Sequence, residues 1–432
     1  MEQVSIFWHR RDLRYQDNVG LYYALDSEQS VLPIFIFDSN ILDNLEDKKD
    51  ARVSFIYDQL KEIDQVYRNN GSGLRIYHGD PLEIYKEIVS TYDVAAVYTN
   101  RDYEPYAKHR DQKVEQYLQS KGVKFYSFKD QVIFEEGEIL TDQGQPYKVY
   151  TPYKNKWLEK FKKLDMDNYN SDKKLQALWK GSVEPMMSLK SLGFEPSDIE
   201  IPSTDVSDQT LEDYGEKRDI PSVNGTSRLG VHLRFGTISI REQVRRGDAK
   251  SDVWLSELIW REFYMMILAH YPDVVDKAFK SQYDQIPWMN NEEHFQKWCE
   301  GMTGYPIVDA GMRELNTTGY MHNRVRMVVA SFLTKHLLID WRWGERYFAQ
   351  KLLDFELASN NGGWQWAAGT GTDAQPYFRV FNPYSQQEKF DKDFKYIKKW
   401  VPEFGTAKYP DPIVPHKEAR QRAIDTYKEA LS

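Results

Sequence analysis

The chain contains almost no cysteine and no arrangement of side chains typical of a metal site. Cys299 is the single cysteine among 432 residues, so neither an internal disulfide nor a thiolate metal site can form. The nine histidines are scattered and contain no HExxH or similar spacing. These absences exclude a disulfide-stapled domain and argue against metal-dependent catalysis.

Long apolar runs and targeting patterns are also missing from the sequence. No apolar run approaches the ~20 residues that span a bilayer. The opening MEQVSIFWHRRD lacks the charged, apolar and small-residue order of a secretory signal. We therefore predict a protein that does not enter membranes and that works in the cytoplasm.

Positive charge is scarce along most of the chain. The formal net charge of −9 argues mildly against a general nucleic-acid binder. Residues 221–250 depart from this trend, with six Lys or Arg residues and only two acids. A cluster of this kind is usually a solvated face, so by itself it indicates little about function.

Strand and helix patterns alternate through the N-terminal part of the chain. Strands are predicted at 4–8, 31–37, 73–77, 94–98 and 123–128, with helices at 21–25, 52–67, 81–90 and 110–118. Such alternation is typical of a parallel sheet wound with helices. No GxGxxG follows the first strand, so the dinucleotide fingerprint of a Rossmann domain is absent. We predict a Rossmann-like α/β domain over residues 1–130.

The rest of the chain is helical in pattern and too long to share one core with the first part. Residues 131–210 are mixed and are interpreted as an interdomain linker. Helices are predicted at 251–270, 307–316, 323–336 and 345–354. Nine of the twelve tryptophans also lie beyond residue 250. We predict an all-α domain over residues 211–432.

One predicted helix, WLSELIWREF, combines aromatic and charged side chains on one face. Trp254, Glu257 and Arg261 stand at i, i+3 and i+7, and Trp260 lies beside Glu257. A charge in a core is costly unless it is paired. The face is therefore either an ion pair on a half-exposed helix or the wall of a pocket for a flat, polar ligand.

Three other segments have compositions that suit ligand binding. In MHNRVRM, Asn323, Arg326 and Met327 share a helix face. The run GTSRLG at 225–230 places two hydroxyls, an arginine and exposed N–H groups between glycines, which can cradle an anion. Residues 360–383 begin with NNGGWQW, where glycine lets backbone approach a ligand closely.

These segments resemble the photolyase/cryptochrome family. The resemblance rests on GTSRL, WLSELIWREF, TGYPIVDAGMREL, GYMHNRVRM, LLIDWRWGERYF, ASNNGGWQWAAGTGTDAQPYFRVFNP and the opening FWHRRDLRYQDN. It covers the whole chain except the connector at 160–210. NNGGWQW and MHNRVRM are most similar to the class I cyclobutane pyrimidine dimer (CPD) photolyases.

The resemblance implies a U-shaped FAD, active as FADH⁻, in the helical domain. It implies that Arg326 pairs with Asp354 near the isoalloxazine and that Asn360 faces flavin N5. Plant-type cryptochromes carry aspartate at that position, so the asparagine favours repair over signalling. The residues expected to bind FAD are Tyr214, Thr226, Ser227, Arg228, Leu229, Gly230, Trp254, Arg261, Asn323, Arg326, Asp354, Glu356 and Asn360.

The resemblance also implies a monomer that acts on UV-damaged DNA and flips the dimer into a pocket. The residues expected to bind DNA or the dimer are Arg218, Glu257, Trp260, Asn323, Met327, Trp366 and Gln386. Glu257 is expected to stabilise the dimer radical anion, and the basic stretch at 221–250 to form a phosphate-binding rim. Trp364, Trp341 and Trp288 match the tryptophan chain that reduces oxidised flavin.

The identity of a second, light-harvesting chromophore stays open. Residues 100–111, NRDYEPYAKHRD, resemble the deazaflavin-type segment more than the folate-type one. Deazaflavin, folate, a second flavin and an empty antenna site remain alternatives. Alternative functions are a blue-light cryptochrome, a (6-4) photolyase, a light-independent flavin oxidoreductase and a non-enzymatic nucleic-acid binder.

Overall fold

The computed structural model describes residues 3–432 and divides into two compact units. The first unit consists of residues 3–135, 160–204 and 229–246, and the second of 136–159, 205–228 and 247–432. Each unit is thus assembled from separate pieces of the chain, whereas the sequence suggested contiguous ranges. The functional domains at 1–130, 131–210 and 211–432 stay a prediction.

A five-stranded parallel sheet forms the centre of the first unit, with strand order β3-β2-β1-β4-β5. The strands are β1 Gln3–His9, β2 Ser30–Asp38, β3 Arg75–Gly79, β4 Asp93–Asn100 and β5 Lys124–Phe128. The central strands β1 and β2 are buried along almost their whole length. Burial on both faces explains why they appear as continuous apolar runs.

Five helices alternate with these strands, which confirms the predicted α/β class. They are α1 Val19–Leu25, α2 Ser39–Leu42, α3 Ala51–Asn69, α4 Pro81–Thr91 and α5 Pro105–Ser120. The residues at the start of α4 explain why this helix begins there. The Asp80 carboxylate accepts hydrogen bonds from the backbone N–H groups of Leu82 and Glu83, and Pro81 occupies the first turn.

Two arginines of the basic stretch at 221–250 are paired within the first unit. Arg241 is buried and lies 3.0 Å from carboxylate oxygens of Asp17 and Asp130. Arg234 Nη1 lies 2.7 Å from Glu104 Oε1. The expectation of a phosphate-binding rim is therefore wrong for these two arginines, because carboxylates already neutralise them.

The remaining regular structure is helical, which confirms the predicted all-α character. In chain order the helices are α6 Tyr150–Phe161, α7 Asp208–Glu212, α8 Tyr214–Lys217, α9 Gly230–Phe235, α10 Ile240–Lys250, α11 Asp252–His270, α12 Glu292–Glu300, α13 Pro306–Thr318, α14 Asn323–Ser331, α15 Trp341–Lys351, α16 Leu357–Ala368, α17 Pro383–Phe390, α18 Lys395–Trp400 and α19 His416–Ala430. Of these, α9 and most of α10 belong to the first unit.

Some predicted helix bounds differ from the structure. The helix predicted at 323–336 is α14 followed by one π-helical turn, Phe332–His336. The helix predicted at 345–354 is α15, which starts four residues earlier because the Asp340 carboxylate caps it through Arg342 N. Helix α6 lies inside the predicted linker and was not expected.

Helix α16 covers the NNGGWQW segment, although asparagine and glycine are poor helix formers. The Glu356 carboxylate caps it through Ser359 N, and Gly369 ends it with a φ of +88°. Its neighbour α15 approaches closely, since a Cβ on Gly344 would lie 2.1 Å from Cη2 of Trp364. Tertiary packing therefore holds α16 helical and fixes the Trp364 indole against α15.

Candidate functional site

Helices α11, α14, α15 and α16 of the second unit enclose a cavity of about 390 Å³. Its size lies within the range typical of small-molecule and cofactor sites. It brings together twelve of the predicted site residues: Arg218, Glu257, Trp260, Arg261, Asn323, Arg326, Met327, Asp354, Glu356, Asn360, Trp364 and Trp366. Sequence reasoning did not identify six others that line it: Tyr264, Ala330, Phe348, Leu352, Ser359 and Gly363.

A carboxylate and a guanidinium pair on the α11 side of the cavity. Glu257 Oε1 accepts a hydrogen bond from Arg218 Nη1 at 2.5 Å, and 30% of the Glu257 side chain remains exposed. Burial raises the pKa of Glu257 above its usual range, although the charge of Arg218 opposes the shift. A carboxyl group in this setting can accept a hydrogen bond when ionised and donate one when protonated.

A second ion pair lies on the α14 side. Arg326 Nη2 donates to both carboxylate oxygens of Asp354, at 3.1 and 2.9 Å, and Arg326 Nε donates to the Met321 carbonyl at 2.7 Å. Burial disfavours the charge of Arg326, but the Asp354 carboxylate outweighs it and holds the Arg326 pKa above its usual value. The predicted Arg326–Asp354 pairing is present, and it places a fixed cation at the cavity.

The side-chain amide of Asn360 has a defined orientation. Asn360 Nδ2 donates to the backbone carbonyl of Glu345 at 3.1 Å and to Glu345 Oε1 at 2.8 Å. A carbonyl oxygen can only accept, so the NH₂ group must point toward α15 and Oδ1 must point away from it. Burial raises the pKa of Glu345, while the hydrogen bond from Asn360 opposes the shift. Asn360 therefore presents a hydrogen-bond acceptor on its other side.

The two adjacent glycines of α16 have different surroundings. A Cβ on Gly362 would lie 2.2 Å from Cδ1 of Tyr264, so this glycine permits close packing against α11. A Cβ on Gly363 would meet no atom within 4 Å, and Gly363 lines the cavity. Gly363 therefore fits the predicted approach of backbone to a ligand, whereas the close packing of Gly362 against α11 was not predicted.

Tyr320 connects the GTSRLG segment to the cavity wall. Thr226 Oγ1 lies 3.4 Å from the Tyr320 hydroxyl, and the Arg228 guanidinium carbon lies 4.6 Å from the centre of the Tyr320 ring. The guanidinium carbon of Arg326, which does line the cavity, lies 5.7 Å from the same ring. Arg228 has a φ of +53°, a conformation that non-glycine residues rarely adopt.

Ten predicted site residues are not part of the cavity lining. Trp254 is buried, and its Nε1 lies 3.4 Å from Ser227 Oγ. Leu229 and Gly230 belong to the first unit, where Gly230 begins α9. The residues outside the lining are Tyr214, Thr226, Ser227, Arg228, Leu229, Gly230, Trp254, Trp288, Trp341 and Gln386.

The three tryptophans predicted to conduct electrons share one hydrophobic core. Trp364 and Trp341 are buried within it, and half-buried Trp288 packs against it and lies 5.9 Å from Tyr427 between ring centres. Of these three electron-carrying candidates, only Trp364 lines the cavity. Trp298 also contacts Trp364, with ring centres 6.0 Å apart, and no motif in the sequence singles it out.

Within residues 3–432, no group of three or more His, Cys, Asp or Glu side chains is arranged to hold a metal ion. Over the same residues, every helix is too short or too polar to cross a bilayer.

Comparison with protein families gives two matches along the chain. Residues 5–173 match the model described as DNA photolyase, and residues 254–408 match the FAD binding domain of DNA photolyase. The second match contains helices α11, α14, α15 and α16, which surround the cavity.

Curated relatives match over nearly the full length. A deoxyribodipyrimidine photo-lyase of Synechococcus is 39% identical, covering 96% of this chain and 94% of the relative. The enzymes of the same name from Halobacterium salinarum and Escherichia coli are each 38% identical, covering 99% of both chains.

Solved structures of photolyases are also similar to this chain over nearly its full length. A class III photolyase from Agrobacterium tumefaciens has a TM-score of 0.87 and 32% identity, covering 100% of this chain and 98% of that one. An archaeal photolyase from Sulfolobus tokodaii with two FAD molecules has a TM-score of 0.80 and 36% identity, covering 99% and 100%. From its sequence, its fold and the helices that enclose its cavity, the chain belongs to the DNA photolyase family.

Proposed function

We propose that the cavity of the second unit is where a reduced FAD meets a cyclobutane pyrimidine dimer, and that the protein splits this dimer under blue light. The observation that carries the proposal is the composition of one cavity. It combines two tryptophans, Trp260 and Trp366, with the oriented amide of Asn360 and the Arg326–Asp354 pair. The relatives named deoxyribodipyrimidine photo-lyase support it over the whole chain.

The cavity fits a flavin on three grounds. Gly363 leaves open space where a side chain would otherwise project. Asn360 offers Oδ1 as an acceptor, which suits the N–H that a reduced flavin carries at N5. Arg326, held by Asp354, offers a fixed cation to the polar edge of the ring. When bound, excited reduced FAD supplies one electron to the dimer and recovers it after the ring opens.

The phosphate groups of FAD need donors beyond this cavity. Thr226, Ser227 and Arg228 supply hydroxyls and a guanidinium, and Tyr320 connects them to the wall that holds Arg326. We assign these residues to the phosphates, because oxyanions bind where hydroxyls, N–H groups and a cation converge. The unusual backbone of Arg228 supports this, since such conformations cluster at ligand-binding segments.

The substrate half of the cavity is aromatic and partly polar. Trp260 and Trp366 provide flat surfaces on which the two pyrimidines of a flipped dimer stack. Glu257 provides a hydrogen-bonding carboxyl for the base edge, and Arg218 holds it in place. Asn323 and Met327 border the same cavity from α14.

The first unit offers a place for a second chromophore. In open parallel sheets, ligands bind beyond the carboxyl ends of the strands. At that edge the Tyr106 hydroxyl donates to Asp38 Oδ2 at 2.7 Å, and Arg110 Nη1 lies 3.7 Å from the same oxygen. The related Sulfolobus structure contains two FAD molecules. Absorption spectra of the released chromophores distinguish deazaflavin, folate and flavin.

The monomeric state and the cytoplasmic location stay predictions. Light scattering on the purified protein tests the first. Fractionation of the cells that produce it tests the second.

The direct experiment measures repair. The flavin is reduced anaerobically, an oligonucleotide with a single thymine dimer is added, and restored thymines are counted after blue light and in a dark control. Light-dependent repair establishes the proposal. If the protein holds reduced FAD and repairs nothing, the proposal fails, and an oligonucleotide with a (6-4) photoproduct is tested next.

A further inference from the structure

An aromatic side chain outside the predicted site packs directly on one of the three cavity tryptophans. Tyr150, the first residue of α6, is buried and stacks on Trp260 with ring centres 3.6 Å apart and planes 9° from parallel. The Tyr150 hydroxyl donates to the Ser256 carbonyl at 2.7 Å, one turn before Trp260 in α11. The ring of Tyr150 is thus fixed against α11 by both its face and its hydroxyl.

Tyr150 contacts Trp260 from a different element. Phe263 and Tyr264 also approach Trp260, with ring centres at 5.6 and 5.5 Å, but both belong to α11. Neighbours on the same helix move with Trp260. Tyr150, from α6, instead fixes the indole relative to another part of the second unit.

The start of α6 is also tied to the segment that follows Trp366. Asp373 Oδ2 accepts a hydrogen bond from Tyr150 N at 3.0 Å. Thr372 Oγ1 donates to the Lys148 carbonyl at 2.6 Å. Both side chains come a few residues after α16, the helix that carries Trp366. One short segment therefore connects the two aromatic walls of the cavity.

We infer that Tyr150 is a positioning residue that fixes the orientation of Trp260 and its spacing from Trp366. It thereby determines the affinity for the two linked pyrimidines of a dimer. The inference rests on the proposed function of the two tryptophans as stacking partners. An aromatic pair of this kind contributes the equivalent of about three- to tenfold in an equilibrium constant beyond its buried area. Without the stack, Trp260 samples other orientations, and dimer binding has to select among them.

The test compares two substitutions at one position. Tyr150→Leu removes the stack, whereas Tyr150→Phe keeps the ring and removes only the hydroxyl. Dissociation constants are measured for an oligonucleotide with one thymine dimer and for the same undamaged oligonucleotide. Bound FAD and repair per absorbed photon at saturating DNA are measured on the same samples.

We expect Tyr150→Leu to bind the dimer about three- to tenfold more weakly, with unchanged affinity for undamaged DNA, unchanged FAD content and little change in repair at saturation. Tyr150→Phe should stay within about twofold of the wild type, because its ring still stacks. Asp373→Ala leaves the ring in place but removes one of the two hydrogen bonds to the segment after α16, and should weaken dimer binding about two- to threefold.

Two outcomes overturn the inference. One is wild-type dimer affinity in a folded Tyr150→Leu variant. The other is equal weakening for damaged and undamaged DNA, which would assign Tyr150 to general DNA contact. If Tyr150→Leu does not fold, the comparison of Asp373→Ala with the wild type decides. A wild-type protein without any preference for the dimer would instead refute the proposed function itself.

Discussion

Glu257 illustrates how a single side chain can serve both a structural pair and a substrate. It accepts a hydrogen bond from Arg218 and retains an exposed edge at the cavity. We predict that Glu257→Ala retains FAD but lowers repair per photon by about tenfold, the effect of losing a hydrogen bond to a charged group. The measurement is thymine restoration per absorbed photon at saturating DNA.

The matched control for this substitution is Glu257→Gln. A glutamine side chain at this position would keep the shape and one acceptor oxygen, so its loss of repair should be smaller than that of the alanine variant. Repair at the wild-type level in Glu257→Ala would remove the carboxyl from the mechanism.

Trp364 is the predicted electron donor whose position the structure defines most fully. It borders the cavity and is packed against Gly344. We predict that Trp364→Phe abolishes photoreduction of oxidised flavin, because phenylalanine is far harder to oxidise, while repair by pre-reduced enzyme continues. Flavin absorbance during blue illumination measures the first, and dimer repair measures the second.

Trp298 supplies the control, since it contacts Trp364 but is not in the predicted chain. Trp298→Phe should photoreduce at nearly the wild-type rate. Photoreduction by Trp364→Phe at that rate would contradict the assignment.

At the scale of the helix, α14 depends on a neutral histidine at its start. His322 Nδ1 accepts a hydrogen bond from Arg324 N, and burial lowers the His322 pKa from 6.5 to about 4. The unfolded chain binds a proton at this residue below pH ~6.5 and the folded chain only below about 4. Stability should therefore be complete above pH ~6.5 and fall as the pH drops toward 4.

We predict that His322 lowers the unfolding free energy by about 2 kcal/mol when the pH falls from 7.5 to 5, because only the unfolded chain binds the proton. His322→Asn keeps an N-cap acceptor without a titrating group. Its unfolding free energy should therefore fall by about 2 kcal/mol less than that of the wild type over the same pH range. Urea unfolding of both proteins at the two pH values measures the difference. Parallel losses would show that His322 does not contribute. Buried His336, whose pKa burial lowers to about 3, acts equally in both proteins and cancels.

For the two adjacent glycines of α16, we predict opposite effects of substitution by alanine on stability. Gly362→Ala should destabilise the protein by about 1–3 kcal/mol, because its Cβ would overlap Tyr264. Gly363→Ala should stabilise the FAD-free protein by about 0.5–1 kcal/mol, since alanine is the better helix former. The same methyl group would enter the cavity, so FAD retention should fall. Unfolding midpoints and flavin absorbance separate the two effects, and equal stability changes would contradict the different packing of the two glycines.

The helices illustrate how far the sequence could be interpreted without the structure. WLSELIWREF and MHNRVRM lie on α11 and α14 as predicted, because apolar spacing along a helix is a local signal. Helix α16 was not predicted, because its Asn and Gly residues disfavour helix. The Glu356 cap and packing against Tyr264 and α15 stabilise it. The bounds of α15 shifted because the capping role of Asp340 was not recognised.

Contacts between distant residues limited the prediction of the site. Nothing near Tyr150 in the sequence indicates a stack on Trp260, which lies 110 positions later. Likewise, the orientation of Asn360 depends on Glu345 in another helix. The basic stretch that contains Arg241 was interpreted as a phosphate-binding rim, and no local pattern indicated that Asp17, 224 positions earlier, pairs with Arg241. The chemistry of the site residues was predictable from their types, whereas their partners were not.

At the scale of the whole molecule, an acidic protein must bind an acidic polymer. With a formal net charge of −9, binding has to rely on a few local cations, of which Arg218 is the predicted DNA contact at the cavity. We predict that the logarithm of DNA affinity falls with the logarithm of salt concentration with a slope of only about −3 to −5, which corresponds to roughly three to five phosphates. Fluorescence titrations from 50 to about 300 mM salt measure it.

The preference for damaged DNA should respond differently to salt. Stacking on Trp260 and Trp366 displaces no counterions, so the ratio of affinities for damaged and undamaged DNA should stay nearly constant. A ratio that collapses along with the affinity would indicate recognition through phosphates rather than through the cavity.

The two units are built from alternating segments of the chain, and this limits how recombination can exchange them. The chain passes between them five times, at residues 135–136, 159–160, 204–205, 228–229 and 246–247. A single genetic crossover before residue 247 would therefore exchange parts of both cores at once. One crossover therefore cannot exchange either unit as a whole module between two relatives.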